Sequence, residues 1–95
     1  MATSKTLKAP NKTAAFVFNA PDALAVALAG SFNNWNARSA LLKKDKNGVW
    51  KTEIYLKPGR YEYKFVVDGN WTVDPGNKNR TRNKLGTENS VIEIK

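Results

Sequence analysis

The sequence predicts an all-β domain, an antiparallel β-sandwich of the immunoglobulin-like type. Short runs of β-forming residues recur about every 8–12 positions and are separated by turn residues, which is typical of such sandwiches. Two of these runs place most of their large apolar residues on one face of a strand, as half-buried strands do. The chain has 95 residues, 41% of them hydrophobic, which is enough for one small domain with a packed core.

The N-terminal third divides into a tail and two further segments. Residues 1–11 contain lysine, threonine, serine and proline with little to bury, and we predict a flexible basic tail there, followed by a folded domain over residues 12–95. The stretch "TAAFVFNA" predicts the first strand. The stretch "ALAVALAG" is ambiguous, because its alanines and leucines favour a helix, whereas its short length between Pro-Asp and Gly favours a strand.

Turn-forming residues separate the predicted strands in the middle and at the end of the chain. Asn47-Gly48 predicts a hairpin turn, and Pro58-Gly59 and Asp68-Gly69 predict two more. Between them, "VWKTEIYL" and "RYEYKFVVDG" alternate in the way of strands, and we expect hairpins from residue 49 to residue 74 to make consecutive strands antiparallel neighbours. A loop from residue 75 to residue 86 and a last strand in "NSVIEIK" complete the domain.

Composition and charge restrict the function. The chain has no cysteine and no histidine, so it lacks disulfides, the commonest general base and the commonest metal ligand, and we expect neither cofactor nor metal. The chain has 16 basic and 8 acidic residues and a net charge of +8. Seven of the basic residues lie in the first twelve residues and in "NKNRTRNK", and the other nine are almost balanced by the eight acids, so the rest of the domain is nearly neutral. No secretory signal or membrane-spanning run is visible, which predicts a cytoplasmic protein without membrane contact.

The three tryptophans stand in three different settings. Trp50 alternates with apolar residues in a predicted strand and is expected in the core. Trp35 lies among asparagines in "GSFNNWN", and Trp71 follows an Asp-Gly-Asn turn. These two either cap the ends of the sandwich or form plates on which a sugar or a base stacks. Neutral amides suit pairs of sugar hydroxyls and favour a sugar over a phosphate; those near the plates are Asn33, Asn34 and Asn89.

Lys64 is the other residue that stands out. It is followed by Phe65, Val66 and Val67, and it points to the opposite face of its strand from Tyr63. It is either a solvated strand residue beside an acid or a charged donor to a hydroxyl on an exposed sheet face.

Three ordered motifs together resemble a known family. "VALAGSFNNW", "GVWKTEIYLKPGRYEYKFVVDGNWTVDP" and "LGTENSVIEI" are similar to the glycogen-binding domain of AMP-activated protein kinase beta subunits, one of the family 48 carbohydrate-binding modules. The resemblance covers roughly residues 13–95. It implies an early-set immunoglobulin-like sandwich that binds α-1,4-linked glucan, such as glycogen, starch or maltooligosaccharides, without catalysis. It also implies that "ALAVALAG" is a strand.

The resemblance further implies a set of carbohydrate-binding residues. Two tryptophans of the family stack on the glucan, a lysine donates to its hydroxyls, a leucine protrudes against its curve, and a threonine and an asparagine add polar contacts. The matching residues are Trp35, Trp71, Lys64, Leu85, Thr87 and Asn89. The sequence departs from the family in "GNKNRTRNK", residues 76–84, which is far more basic than expected and has no assigned role.

The sequence is compatible with three functions of different classes. An α-glucan-binding module leads, and the alternative is a protein-interaction or scaffolding domain with a vestigial sugar site. Binding of nucleic acid through "KNRTRNK" is disfavoured because the rest of the domain is almost neutral, whereas a nucleic-acid groove spreads its bases along a face. Catalysis is disfavoured because glycoside hydrolysis needs two carboxylates across the scissile bond, and the eight acids lie mostly in turns and on strand surfaces.

Overall fold

Antiparallel strands make up nearly all regular structure of the domain. The computed structural model describes residues 12–95, so the predicted tail at residues 1–11 lies outside the described part. One short 3-10 turn, Ser31–Asn33, interrupts the strands, and within the described residues no helix is long and apolar enough to cross a membrane. The eight strands are β1 (Lys12–Asn19), β2 (Val26–Gly30), β3 (Lys43–Lys44), β4 (Val49–Leu56), β5 (Gly59–Val67), β6 (Asn70–Thr72), β7 (Arg80–Arg82) and β8 (Glu88–Ile94).

The strands form two sheets, which confirms the predicted all-β sandwich. The first sheet has the order β1-β4-β3, and the second has the order β2-β5-β8-β7, with β6 paired to β5 on the edge opposite β2. Every pairing is antiparallel. The core lies between the sheets, where Phe16 of β1 packs edge-on against Tyr63 of β5 with ring centroids 5.0 Å apart. Phe18 and Phe65 make a second contact across the sheets at 4.9 Å.

The prediction that consecutive strands pair throughout residues 49–74 is wrong at one point. β5 and β6 form a hairpin through Asp68-Gly69, but β4 and β5 belong to different sheets. The turn at Pro58-Gly59 therefore carries the chain from one sheet to the other. The physical reason is burial: both strands have one apolar face, and these faces cover each other only when the strands lie in opposite sheets.

Strand alternation places the two faces of β4 and β5 as predicted. Trp50 and Leu56 of β4 are buried, and Tyr63 and Phe65 of β5 are almost fully enclosed. The Trp50 indole donates its Nε1–H to the carbonyl of Ala20 at 2.8 Å, which satisfies the polar atom of a core side chain. Trp50 is thus a core residue, as its strand pattern predicted.

The ambiguous segment "ALAVALAG" contains strand β2, and all five of its residues are buried. Val26 and Leu28 face the main core, whereas Ala27 and Ala29 form a small second cluster with Val66 on the outer face of the sheet. Because both faces of β2 are covered, its sequence shows no alternation between apolar and polar residues. This burial explains why local patterns left the segment undecided.

The loop expected from residue 75 to residue 86 contains a short strand that the sequence did not predict. Residues Arg80–Arg82 form β7, which pairs with β8 so that Thr81 lies opposite Asn89. Three residues in an arginine-rich stretch carry no hydrophobic periodicity, so only their pairing with β8 defines them as a strand. The strand sets the loop along the edge of the second sheet.

Candidate functional site

The outer face of the second sheet carries an open cleft of about 730 Å³, within the size range of ligand sites in proteins. It is bounded by the 3-10 turn region, by β6 and by the segment between β7 and β8. All six residues that the sequence predicted as a binding site line this one cleft, together with three that it missed. The lining residues are Trp35, Glu62, Lys64, Trp71, Asn83, Lys84, Leu85, Thr87 and Asn89.

The asparagines around Trp35 build the turn that presents it. The side chain of Asn33 accepts a hydrogen bond from the Gly30 N–H at 3.0 Å and donates to the carbonyl of Leu28 at 3.1 Å. Asn34 and Trp35 then adopt left-handed backbone angles, with φ of 56° and 58°. Asparagine tolerates this conformation, whereas it is a rare and strained one for tryptophan. Asn33 is therefore a scaffold residue, which corrects its interpretation as an amide for sugar hydroxyls.

Trp35 and Trp71 form an open pair at one side of the cleft. Their ring centroids lie 6.5 Å apart and their planes meet at 47°. Trp35 is half-buried and packs on the small cluster of Ala27, Ala29 and Val66, whereas Trp71 on β6 is 51% exposed. Trp35 thus covers an apolar floor and also lines the cleft, and stacking of a ligand on its ring stays a prediction.

Asn83 organises the opposite side of the cleft, and the sequence analysis missed it. Its Oδ1 accepts hydrogen bonds from the N–H groups of Leu85 at 3.0 Å and Thr87 at 3.1 Å. Its Nδ2 donates to the Thr87 hydroxyl at 2.7 Å and to Asn89 Oδ1 at 3.2 Å. These bonds hold Leu85 outward, where its side chain is 88% exposed. Asparagine side chains often accept a hydrogen bond from the backbone N–H two residues later and so form a turn. This preference could have identified Asn83 from the sequence.

A chain of polar contacts crosses the floor of the cleft. Lys64 Nζ donates to the Thr87 hydroxyl at 3.1 Å, so Lys64 is not simply a solvated strand residue. Asn89, only 6% exposed, donates from Nδ2 to Glu62 Oε1 at 2.9 Å. The other oxygen of Glu62 accepts from Arg60 Nη1 at 3.0 Å.

The carboxyl of Glu62 is held in its ionised form by these neighbours. The hydrogen bond from Asn89 lowers the pKa of Glu62 below its ordinary value of 4.5, and the Arg60 guanidinium lowers it further, against an opposing effect of desolvation. Because Glu62 stays charged near neutral pH, it fixes the orientation of the Asn89 amide. Glu62 was not among the predicted site residues.

The two carboxylates nearest to Trp71 in the sequence have structural partners. Asp68 accepts hydrogen bonds from the backbone N–H groups of Leu24 and Ala25. Asp74 accepts from the Tyr63 hydroxyl at 2.6 Å, and burial, followed by this contact, raises the pKa of Tyr63 well above its usual range. Among residues 12–95, no group of three or more acids lies close enough together to hold a metal ion. The cleft thus offers aromatic faces, an exposed leucine and fixed polar groups, which suit a ligand with flat apolar faces and hydroxyl edges.

Comparisons with known proteins show what the chain as a whole is similar to. A family model described as the glycogen recognition site of AMP-activated protein kinase matches residues 13–95. The chain is 43% identical over 70 residues to 5'-AMP-activated protein kinase subunit beta-1 of Sus scrofa, which covers 74% of this chain and 54% of that protein. It is 40% identical over 70 residues to subunit beta-2 of Homo sapiens, which covers 74% of this chain and 25% of that protein.

A relative outside the kinases also matches. The chain is 50% identical over 50 residues to the protein named Protein PTST homolog 2, chloroplastic, of Arabidopsis thaliana. That match covers 53% of this chain and 9% of the plant protein. The chain therefore spans about half or less of the length of these relatives.

Proposed function

The chain belongs to the family of glycogen recognition sites of AMP-activated protein kinase, and from this premise we propose that it binds α-1,4-linked glucan without catalysis, by stacking sugar rings on Trp35 and Trp71. The observation that carries this proposal is the pair of indole rings at the side of one open cleft, 6.5 Å apart and tilted by 47°. Two tilted indole rings suit an α-linked chain, because such a chain curves from one sugar ring to the next. A β-1,4-linked chain is flat and does not follow the tilt.

The polar groups of the cleft supply contacts to sugar hydroxyls. Lys64 reaches the cleft with an ammonium that can donate three hydrogen bonds, and one of them already orients it toward Thr87. The Thr87 hydroxyl both donates and accepts, and the Asn89 amide is oriented by Glu62. Because these groups are fixed before the ligand arrives, little ordering entropy is lost on binding.

Leu85 gives the cleft a preference for long or cyclic ligands. Its side chain stands out from the turn at Asn83 and is exposed on nearly all sides. An exposed leucine is unfavourable in water, and the inner surface of a curved glucan is the less polar surface that would cover it. Ligands long enough to wrap around Leu85 should therefore bind more tightly than maltotriose.

The affinity follows from the number of contacts. Each stack is worth roughly 1–3 kcal/mol if sugars resemble bases in this respect, and each hydrogen bond adds about 0.5–1.5 kcal/mol net. Part of this is offset by immobilisation of the sugar. The expected binding free energy is roughly −4 to −8 kcal/mol, which corresponds to dissociation constants from about micromolar to millimolar.

Calorimetry with maltoheptaose and β-cyclodextrin tests the proposal. We expect saturable binding of both, weaker binding of maltotriose, and quenching of tryptophan fluorescence. Cellohexaose, with β-1,4 linkages, is the matched control and should not bind measurably. Absence of binding of maltoheptaose and β-cyclodextrin at millimolar concentration, or equal binding of cellohexaose, would contradict the proposal.

We propose that the module acts as the carbohydrate-binding part of a larger assembly or pathway. Its relatives include subunits of a kinase, and the partner of this chain is a protein still to be identified. The cytoplasmic location expected from the sequence stays a prediction, and one relative is named as chloroplastic. The alternative of a protein-interaction domain with a vestigial sugar site is not favoured, because a vestigial site would not keep both indoles and the polar floor in one cleft.

A further inference from the structure

A second, smaller groove lies on the same outer face of the sheet and is lined by basic residues. It has a volume of about 450 Å³ and is open to solvent. The glucan cleft is largely apolar, whereas this groove is mainly polar. Its lining residues are Arg60, Lys78, Asn79, Arg80, Val91 and Glu93.

The groove and the cleft are neighbours along strands β5 and β8. Val91 of the groove lies directly opposite Glu62 of the cleft in the pairing of these strands, and opposite residues on one face have Cβ atoms about 5 Å apart. Arg60 of the groove bonds to Glu62, and Glu62 in turn accepts from Asn89. The two sites therefore share a wall, so a glucan chain that runs from the cleft past Glu62 would place its next unit beside the groove.

The bases of the groove are only partly neutralised. Arg60 is paired with Glu62 at 3.0 Å, and Glu93 is paired with Lys95 at 3.9 Å. Lys78 and Arg80 take part in none of the salt bridges found among residues 12–95. Arg80 donates one hydrogen bond to the carbonyl of Asp74 at 3.2 Å, which orients the guanidinium and leaves most of its five donors available.

We propose that this groove binds a phosphate monoester carried by the same glucan chain that occupies the cleft. The inference rests on the proposed glucan binding, since the glucan brings the phosphate beside the groove. A phosphate monoester carries a charge of about −1.5 to −2 near pH 7, which matches the two bases, Lys78 and Arg80, that have no acidic partner in the described residues. It also gives a role to two of the four bases in the segment from residue 76 to residue 84.

A nucleic acid fits the groove less well. A nucleic-acid strand repeats its charge along its length and is bound by bases spread along a face. Here Glu93 lies within the groove, and Arg60 is already paired with an acid. The two bases without an acidic partner in the described part of the chain, Lys78 and Arg80, match a ligand that carries one localised anion on an otherwise neutral polymer.

The test compares maltoheptaose with maltoheptaose that carries one phosphate on a 6-hydroxyl. At about 20 mM salt we expect the phosphorylated sugar to bind about five- to tenfold more tightly, because two exposed ion pairs contribute modestly. This advantage should shrink at about 500 mM salt, where screening is strong, whereas binding of the neutral sugar should not change. The double variant K78Q/R80Q should lose the advantage and keep the affinity for neutral maltoheptaose.

A matched control and two further probes separate the alternatives. The variant K43Q/K46Q removes two lysines from β3 and its following turn in the other sheet, and it should keep the advantage at the same net charge. Inorganic phosphate alone and a single-stranded DNA oligonucleotide should bind much more weakly than the phosphorylated sugar.

Equal affinity of the two sugars, or an advantage retained in K78Q/R80Q, would overturn this inference while leaving neutral glucan binding intact. Tighter binding of the oligonucleotide would assign the groove to nucleic acid instead, and failure of neutral maltoheptaose to bind would instead contradict the proposed function.

Discussion

The indole rings of Trp35 and Trp71 lie 6.5 Å apart between centroids, although the two residues come from different turns of the chain. Trp35 follows the 3-10 turn after β2, and Trp71 lies on β6. Ala27 of β2 pairs with Val66, which in turn pairs with Trp71. Trp35 also packs on Val66, so β5 is the common neighbour of both indoles.

Replacing Trp71 by alanine should remove a stacking plate without unfolding the domain. The side chain is 51% exposed on a short edge strand, so little core packing is lost. We expect affinity for maltoheptaose to fall about tenfold, or about 1.4 kcal/mol, with an unchanged melting temperature. Calorimetry and thermal unfolding measure the two quantities, and unaltered affinity would show that Trp71 takes no part in binding.

Replacing Trp50 by alanine is the opposite case. This residue is buried between the sheets and its indole donates to Ala20. Truncation of such a side chain costs about 3–5 kcal/mol of stability, which is a large part of the stability of a small domain. Urea unfolding should show this loss, and the fraction that stays folded should bind maltoheptaose with the original affinity. A stable variant would place Trp50 outside the core.

The variant Trp35→Ala should affect both affinity and stability. Trp35 lines the cleft and also covers Ala27, Ala29 and Val66. We expect about tenfold weaker binding and a loss of about 1–2 kcal/mol in unfolding free energy, because a half-buried side chain gives up part of its apolar burial. The variant Trp35→Phe keeps an aromatic face and should recover part of both. Complete unfolding of Trp35→Ala would instead identify Trp35 as a core lid.

Replacing Asn83 by alanine tests whether the turn that carries Leu85 must be held in place. The change removes the acceptor for two backbone N–H groups and the donor to Thr87. We expect about three- to tenfold weaker binding of β-cyclodextrin, because the contacts lose part of their preorganisation. Faster amide exchange of Leu85 and Thr87 should accompany the loss. Asn79→Ala is the control, since Asn79 lies outside the cleft, and an equal effect there would contradict the role of Asn83.

The ionised form of Glu62 should stabilise the domain fully above about pH 4.5, and this stabilisation should be lost as the pH falls through the lower pKa of the folded state. The hydrogen bond from Asn89, and then Arg60, lower the pKa of Glu62 in the folded state from 4.5. A lowered pKa means that the stabilisation is present above the unfolded value and is lost as the pH falls through the folded value. Urea unfolding of wild type and Glu62→Gln should therefore differ most near neutral pH and converge in acid. Asp45, whose pKa is also lowered, is present in both proteins, so its effect cancels in the difference. A difference independent of pH would contradict the expectation.

Local sequence determined strands β4 and β5 and the faces that they bury. The alternation of "VWKTEIYL" and "RYEYKFVV" predicted which side chains point inward, because the period of two is a property of the strand itself. The turn residues Gly48 and Gly69 have φ of 81° and 85°, as hairpin turns with glycine require. The resemblance to a known family supplied the six site residues, and the structure brings all of them to one cleft.

Tertiary structure alone decided which strands pair and what holds the site together. Nothing in the local pattern shows that β4 and β5 lie in different sheets, since that depends on which apolar faces cover each other. Strand β2 was ambiguous because it is buried on both sides. Glu62 acts through Asn89, which lies 27 residues away in the sequence, and Lys64 acts through Thr87, which lies 23 residues away. Sequence periodicity reports only the burial of one strand or helix, whereas these contacts arise when separate strands meet on one face of a sheet.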